Sequence, residues 1–165
     1  MPQIEGTGKQ GQVLHLDRAK ALEILAPGDL IISRTNAPLV KQYFQLVQQG
    51  TPATIKGRDY LEFMKSFIKT MSQSVEESLE EKAIDAYDRK TSRLEPEDPK
   101  IGLYSDVQEC VLAILEARED VKDTDDLLRE IEPMFSVSVN KNGVTLCSIH
   151  KSKGLENPRV FLLKG

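Results

Sequence analysis

Two short apolar runs, each followed at once by a cation, constrain this chain more than any other feature of it. "DLIIS" (29–33) precedes Arg34, and "VTLCSI" (144–149) precedes His150 and Lys151. Short apolar runs bounded by turn signals mark strands that are buried on both faces, as in parallel sheets. The first run is introduced by the turn pair Pro27 and Gly28. In open α/β sheets, ligands gather at the carboxyl ends of the strands, so the residues that follow these runs occupy the positions where binding groups are expected.

The stretches between the runs alternate in character. "GQVLHL" (11–16) and "ATIKG" (53–57) read as further short strands. From Ala37 to Gln49 the apolar residues Leu39, Val40, Tyr43, Phe44 and Val47 recur at helical spacing, with Asn36 as the expected N-cap, Pro38 in the first turn and Gly50 as the stop. Asp59 is the expected cap of a second helix that carries Leu61, Met64, Phe67, Ile68 and Met71 on one face. Residues 72–93 are polar but helix-permissive, and "EPEDPKIG" (95–102) is a loop. Two more helices follow, one with Val107, Cys110, Val111, Ile114 and Leu115 as its apolar face, the other around Leu127, Leu128 and Ile131. The order of elements predicts an α/β layered fold with a mostly parallel sheet flanked by helices. A rival pairing remains for the second apolar run, because "NKNG" (140–143) admits a hairpin with "FSVSV" (135–139).

At 165 residues, with 39% hydrophobic and 29% charged residues, the chain has the composition of a soluble globular domain. It has neither a long apolar span nor an apolar amino-terminal leader, which gives the expectation of no membrane partner and a cytoplasmic location. Cys110 and Cys147 have no metal-ligand spacing and read as small buried thiols. The net charge of −4 argues against a polyanionic partner only on average. Between residues 76 and 98 there are nine acids and four bases, which leaves +1 for the rest of the chain. That acidic stretch reads as a solvated helix face, and a basic site elsewhere stays open.

Two glycine-bearing loops compete for a phosphate-binding role. "GTGKQG" (6–11) has the letters of a dinucleotide fingerprint, but no strand precedes it and no helix follows, so it reads as a flexible start. "HKSKGLE" (150–156) has the better position. His150 and Lys151 offer donors to a phosphodiester backbone, Gly154 admits a ligand close to the main chain, and Lys153 and Glu156 reach toward a nucleotide's phosphates and ribose. A plain surface turn is the other reading of the same letters. Arg34 reads either as a guanidinium for a terminal phosphate or as a capping or ion-pairing arginine.

"LIISRTNA" (30–37) with "GTPATIKGRD" (50–59) resembles motif IV and its continuation in UvrD/Rep-type superfamily 1 DNA helicases, and "GVTLCSIHKSKGLENPRVFLL" (143–163) is similar to their motif V. Together the two blocks span roughly 50 residues. The resemblance implies the second RecA-like core domain, with residues 1–71 and 136–165 as its two parts and residues 72–135 as a reduced, acidic helical insertion. It implies that Arg34 contacts the γ-phosphate as the one catalytic group. It also implies that Lys153, Gly154 and Glu156 lie near the nucleotide, and that His150 and Lys151 face single-stranded DNA. ATP and Mg²⁺ are the implied cofactors, held mainly by a first RecA-like domain that is the implied partner. The chain contains no Walker A lysine loop, Walker B acid pair or motif VI arginine, and Asn157 stands where the family usually has phenylalanine. The expectation is a helicase fragment that is inactive alone. Its alternatives are a stand-alone nucleic-acid-binding module and a protein-interaction domain on a degenerate helicase scaffold.

Overall fold

The computed structural model describes residues 23–153 and 159–163, together with the backbone of two strands, β1 (Gln3–Glu5) and β2 (Val13–His15). The remaining strands are β3 (Leu30–Ser33), β4 (Ala53–Lys56), β5 (Phe135–Ser136), β6 (Val144–Ser148) and β7 (Val160–Leu163). They form one sheet in the order β2-β1-β7-β3-β6-β4-β5. The five strands from β7 to β5 are all parallel, and β1 and β2 add antiparallel at one side. The α/β class with a mostly parallel, helix-flanked sheet is therefore the architecture of this chain.

The chain divides into two compact units. The strand unit comprises residues 1–58 and 134–165, and the helical unit comprises residues 59–133. The helical unit thus begins at residue 59, where the expected insertion begins at 72.

In the strand unit, Pro27 and Gly28 make the turn into β3. The Asp29 N–H donates to the Ala26 carbonyl at 3.1 Å, and Asp29 Oδ2 accepts the Ala26 N–H at 2.7 Å. Gly28 takes φ +92°, which a residue with a Cβ resists at the third position of such a turn. Strand β3 then lies between β6 and β7. Helix α1 (Ala37–Gln48) returns the chain to β4 across the sheet, lying against β3, β4 and β6. Leu39, Val40, Phe44 and Leu46 are its buried apolar residues. Gly50 at φ +80° ends the helix as expected, since the left-handed region after a helix suits glycine. Asn36 does stand at the N-cap, but its φ of −89° and ψ of −25° are already helical and its side chain makes no capping hydrogen bond. That corrects the expected role, because a capping side chain works from an extended backbone.

Strand pairing also decides the open question of β6. It pairs in parallel with β3 and β4, while β5 pairs with β4, so the hairpin between 135–139 and 144–149 does not form. Two central strands bury more apolar surface around "VTLCS" than a two-stranded hairpin offers. Side chains alternate across the sheet. Leu30, Cys147 and Val160 form an apolar cluster on one face, with Ile32 packed against it. Ile31, Leu146, Ile55 and Phe161 are buried on the other.

The helical unit contains α2 (Arg58–Lys69, which begins at the junction), α3 (Leu79–Thr91), α4 (Lys100–Ala117) and α5 (Thr124–Ile131). Its core carries the predicted faces: Leu61, Met64, Phe67 and Ile68 from α2, Val107, Cys110, Val111, Ile114 and Leu115 from α4, and Leu127 and Ile131 from α5. Asp59 sits inside the first turn of α2, and not at the cap position expected for it. Its charge there still favours the helix N-terminus. Ser78 caps α3 by accepting the Glu81 N–H at 3.1 Å, and Asp123 caps α5 by accepting the Asp126 N–H at 2.8 Å. Each satisfies a backbone donor that the first turn leaves open.

Candidate phosphate-binding edge

Parallel pairing carries the chemistry of both apolar runs to one place. The register aligns Leu30 with Thr145 and Ser33 with Ser148, so β3 and β6 end level with each other. Arg34 leaves the end of β3, and residues 150–152 wind into a short 3₁₀ turn directly after β6. The two exits are tied together, since the Ile149 N–H donates to the Ser33 carbonyl at 2.9 Å. The turn itself is held by the Lys151 N–H donating to Ser148 Oγ at 3.2 Å and by Ser152 Oγ donating to the Ile149 carbonyl at 2.7 Å. Local hydrogen bonds of this kind satisfy the backbone and leave the longer side chains to face outward. Arg34, His150 and Lys153 are exposed, and Lys151 is half-buried.

Arg34, His150, Lys151 and Lys153 are therefore brought to the carboxyl edge of adjacent strands. Gly154 and Glu156, the other two positions implied by the resemblance, lie outside the described residues, as do Asn157 and the 6–11 loop.

Strand β4 adds a group that sequence reasoning passed over. It lies on the other side of β6 from β3, and its last residue, Lys56, is in register with Cys147. Gly57 then takes φ +146°, its N–H donating to the Ser136 carbonyl at 3.0 Å, and Arg58 opens α2. The missed signal was the pattern already used for the other two strands, an apolar run with a cation at its end, here "ATIKG" with a threonine inside it. Three neighbouring strands thus deliver basic residues to one edge.

The charges at this edge differ from those elsewhere. Many other cations are paired: Arg89 with Asp85, Arg118 with Asp120 and Glu130, Lys65 with Glu132, Arg129 with Asp126 and Arg159 with Asp29. Arg34, Lys56 and Lys153 form no ion pair with any described residue. Cations gathered at a shared edge and forming no ion pair among the described residues raise the local potential even on an acidic protein. Among the described residues no three side chains of the His, Cys, Asp and Glu types converge to hold a metal ion.

Both cysteines are free and buried, as their apolar segments predict. Burial pushes the Cys147 thiol up, while the nearby positive charges of Lys56 and Lys151 pull it part of the way back. In the helical unit burial raises the Cys110 thiol, with the Asp106 charge adding to the effect. Tyr60 Oη donates to Asp106 Oδ2 at 3.0 Å and lies 3.6 Å from Cys110 Sγ. Burial and these two neighbours raise its phenol far above the ordinary range, so the group stays neutral. No helix among the described residues is long and apolar enough to cross a membrane.

Compared with protein families, with curated proteins and with solved structures, the chain matches none of them.

Proposed function

We propose that the carboxyl edge of β3, β6 and β4 is a phosphate-binding surface, and that the chain serves as the second RecA-like core domain of a UvrD/Rep-type superfamily 1 DNA helicase. In this reading Arg34 approaches the γ-phosphate of ATP. His150 and Lys151 hold single-stranded DNA, and Lys153, Gly154 and Glu156 line the nucleotide side. The partner that completes the site is a first RecA-like domain, which supplies the phosphate loop and the Mg²⁺ ligands; the location is the cytoplasm.

One observation carries the reading: β3 and β6 end in register, so the cations of motif IV and motif V stand side by side, and neither Arg34 nor Lys153 has a carboxylate partner among the described residues. A guanidinium presents paired donors matched to a phosphate, and placed where charge accumulates it contributes mostly in the transition state. A histidine and a lysine on a neighbouring turn suit the less exacting contacts of a nucleic-acid backbone.

The two roles separate in kinetics. With the chain joined to a first core domain, Arg34→Ala lowers ATP turnover at saturating single-stranded DNA. His150→Ala raises the DNA concentration needed for half-maximal stimulation and leaves basal turnover near the parent value. Normal turnover by Arg34→Ala at saturating DNA would remove Arg34 from the nucleotide and favour the nucleic-acid-module alternative.

A further inference from the structure

Charge is divided between the two units far more sharply than the net value shows. The helical unit holds 21 acids and 10 bases, a net −11, and the strand unit holds 5 acids and 12 bases, a net +7, which together make the −4 of the whole chain. Charges of opposite sign on different surfaces of one molecule attract the matching surfaces of its copies.

The division is focused on two faces. On α3, Ile84 is 46% exposed, and Glu80, Glu81 and Asp88 stand three or four residues from it, the spacing that shares one side of a helix. All three acids are exposed, and none forms an ion pair with a described residue. The carboxyl edge repeats the pattern with the opposite sign. Ile149 is 38% exposed there, and its N–H donates to the Ser33 carbonyl at 2.9 Å. Arg34 follows Ser33 on one strand, and His150 and Lys153 follow Ile149 on the other. Arg34 and Lys153 also form no ion pair with a described residue. A single exposed isoleucine is ordinary. An apolar centre with a charged rim is the anatomy of an interface, and rims of opposite sign set which surfaces meet.

We propose that the acidic face of α3 in one copy docks on the carboxyl edge of a second copy. The occupant is a second copy because the chain itself carries the face that complements α3 in charge. The two faces are different surfaces, so the contact is heterologous. A pair leaves one face of each kind open, and association continues into rings or open chains instead of closing at a dimer. The contact uses the edge without depending on its affinity for phosphate.

The test is sedimentation velocity of the parent chain at concentrations up to about 0.1 mM. Salt is varied from about 0.01 M to about 1 M, across which the screening length falls from about 30 Å to about 3 Å. Species larger than a dimer are expected at low salt and a monomer at high salt. Glu80→Gln, Glu81→Gln and Asp88→Asn combined are expected to weaken the association at least about tenfold, as are Arg34→Gln and Lys153→Gln combined. Mixed in equal amounts, these two variants are expected to form a one-to-one pair that does not grow, since one intact face of each kind remains. Circular dichroism of each variant separates a lost contact from a lost fold. Ile84→Ser, an exposed change, is expected to weaken the association as well and keeps the test decisive if loss of the acids frays α3.

A parent chain that stays monomeric at low salt overturns the proposal, and so does an assembly that closes at two copies. An association that neither set of substitutions weakens, or a mixture that fails to pair, removes these two faces from the contact and overturns it equally. None of these outcomes bears on phosphate binding at the edge, which the kinetics of Arg34→Ala and His150→Ala decide.

Discussion

A methyl group added at Gly143 would stand 2.4 Å from the Pro52 carbonyl oxygen and 2.8 Å from Asn140 Nδ2. The amide can turn away, but the Pro52 carbonyl accepts the Val144 N–H at 2.9 Å and Gly143's own carbonyl accepts the Gly28 N–H at 2.8 Å. With backbone fixed on both sides, Gly143→Ala is expected to destabilise the strand unit by about 1–3 kcal/mol, as overpacking does, seen as a lower urea midpoint. Asp29 gives a pH signature. Burial raises its carboxyl above 3.8, outweighing the Ala26 N–H and the Arg159 guanidinium, which both lower it. The folded state therefore binds this proton more readily than the unfolded state. Stability from Asp29 is greatest below 3.8 and declines as pH rises through the raised value. In chemical denaturation across that window, the stability of the parent relative to Asp29→Asn is expected to fall with rising pH; a constant difference would show that Asp29 titrates normally.

Local signals and tertiary pairing divide the elements between them. Ser78 accepts the Glu81 N–H, so Ser78→Ala is expected to cost about 1 kcal/mol and to speed amide exchange in the first turn of α3 while the strands are unaffected. Strand β3 and helix α1 were legible because apolar spacing, a turn glycine and a stop glycine agreed over one stretch of chain. The apolar face of α4 was equally plain from Val107 to Leu115. Asp59 was put at the cap and not within the first turn because helix starts depend on the dihedrals of the preceding glycine, which the letters do not report. The β5 and β6 pairing was beyond local reading, since "NKNG" is a sound hairpin signal and only burial between β3 and β4 outcompetes it. The positions of Arg34 and the His150 turn at the ends of neighbouring strands were legible from their place after apolar runs. Lys56 was not, because "ATIKG" reads as a strand from its letters while only the register reveals that this strand lies beside β6, with Lys56 on the face of Cys147.

At the scale of the whole molecule, charge is segregated. Exposed acids at Glu80, Glu81, Asp85 and Asp88 belong to the helical unit, while Arg34, Lys56 and Lys153, which have no ion-pair partner among the described residues, belong to the edge of the strand unit. Single-strand binding by the isolated chain is expected to be weak and to fade with salt, because few phosphate contacts are made and each releases counterions. Binding that stays tight in high salt would point to apolar base contacts instead. ATP hydrolysis by the chain alone is expected to be absent at any DNA concentration, since the sequence holds no phosphate loop to cradle the triphosphate; DNA-stimulated phosphate release from the pure chain would contradict this.

The pairing of β3 with β6 has a consequence in time. Their level ends make the edge, yet most of the chain lies between Arg34 and His150, and the helical unit is a continuous stretch within that interval. Nearby residues close quickly and distant ones slowly, so amides of α4 are expected to gain protection in pulse-labelling before those of β6. Early protection of Val144–Ser148 would reverse that order. During synthesis the helices leave the ribosome while β3 still waits for its neighbour, and a nascent chain reaches that stage with the shared edge of β3 and β6 not yet assembled.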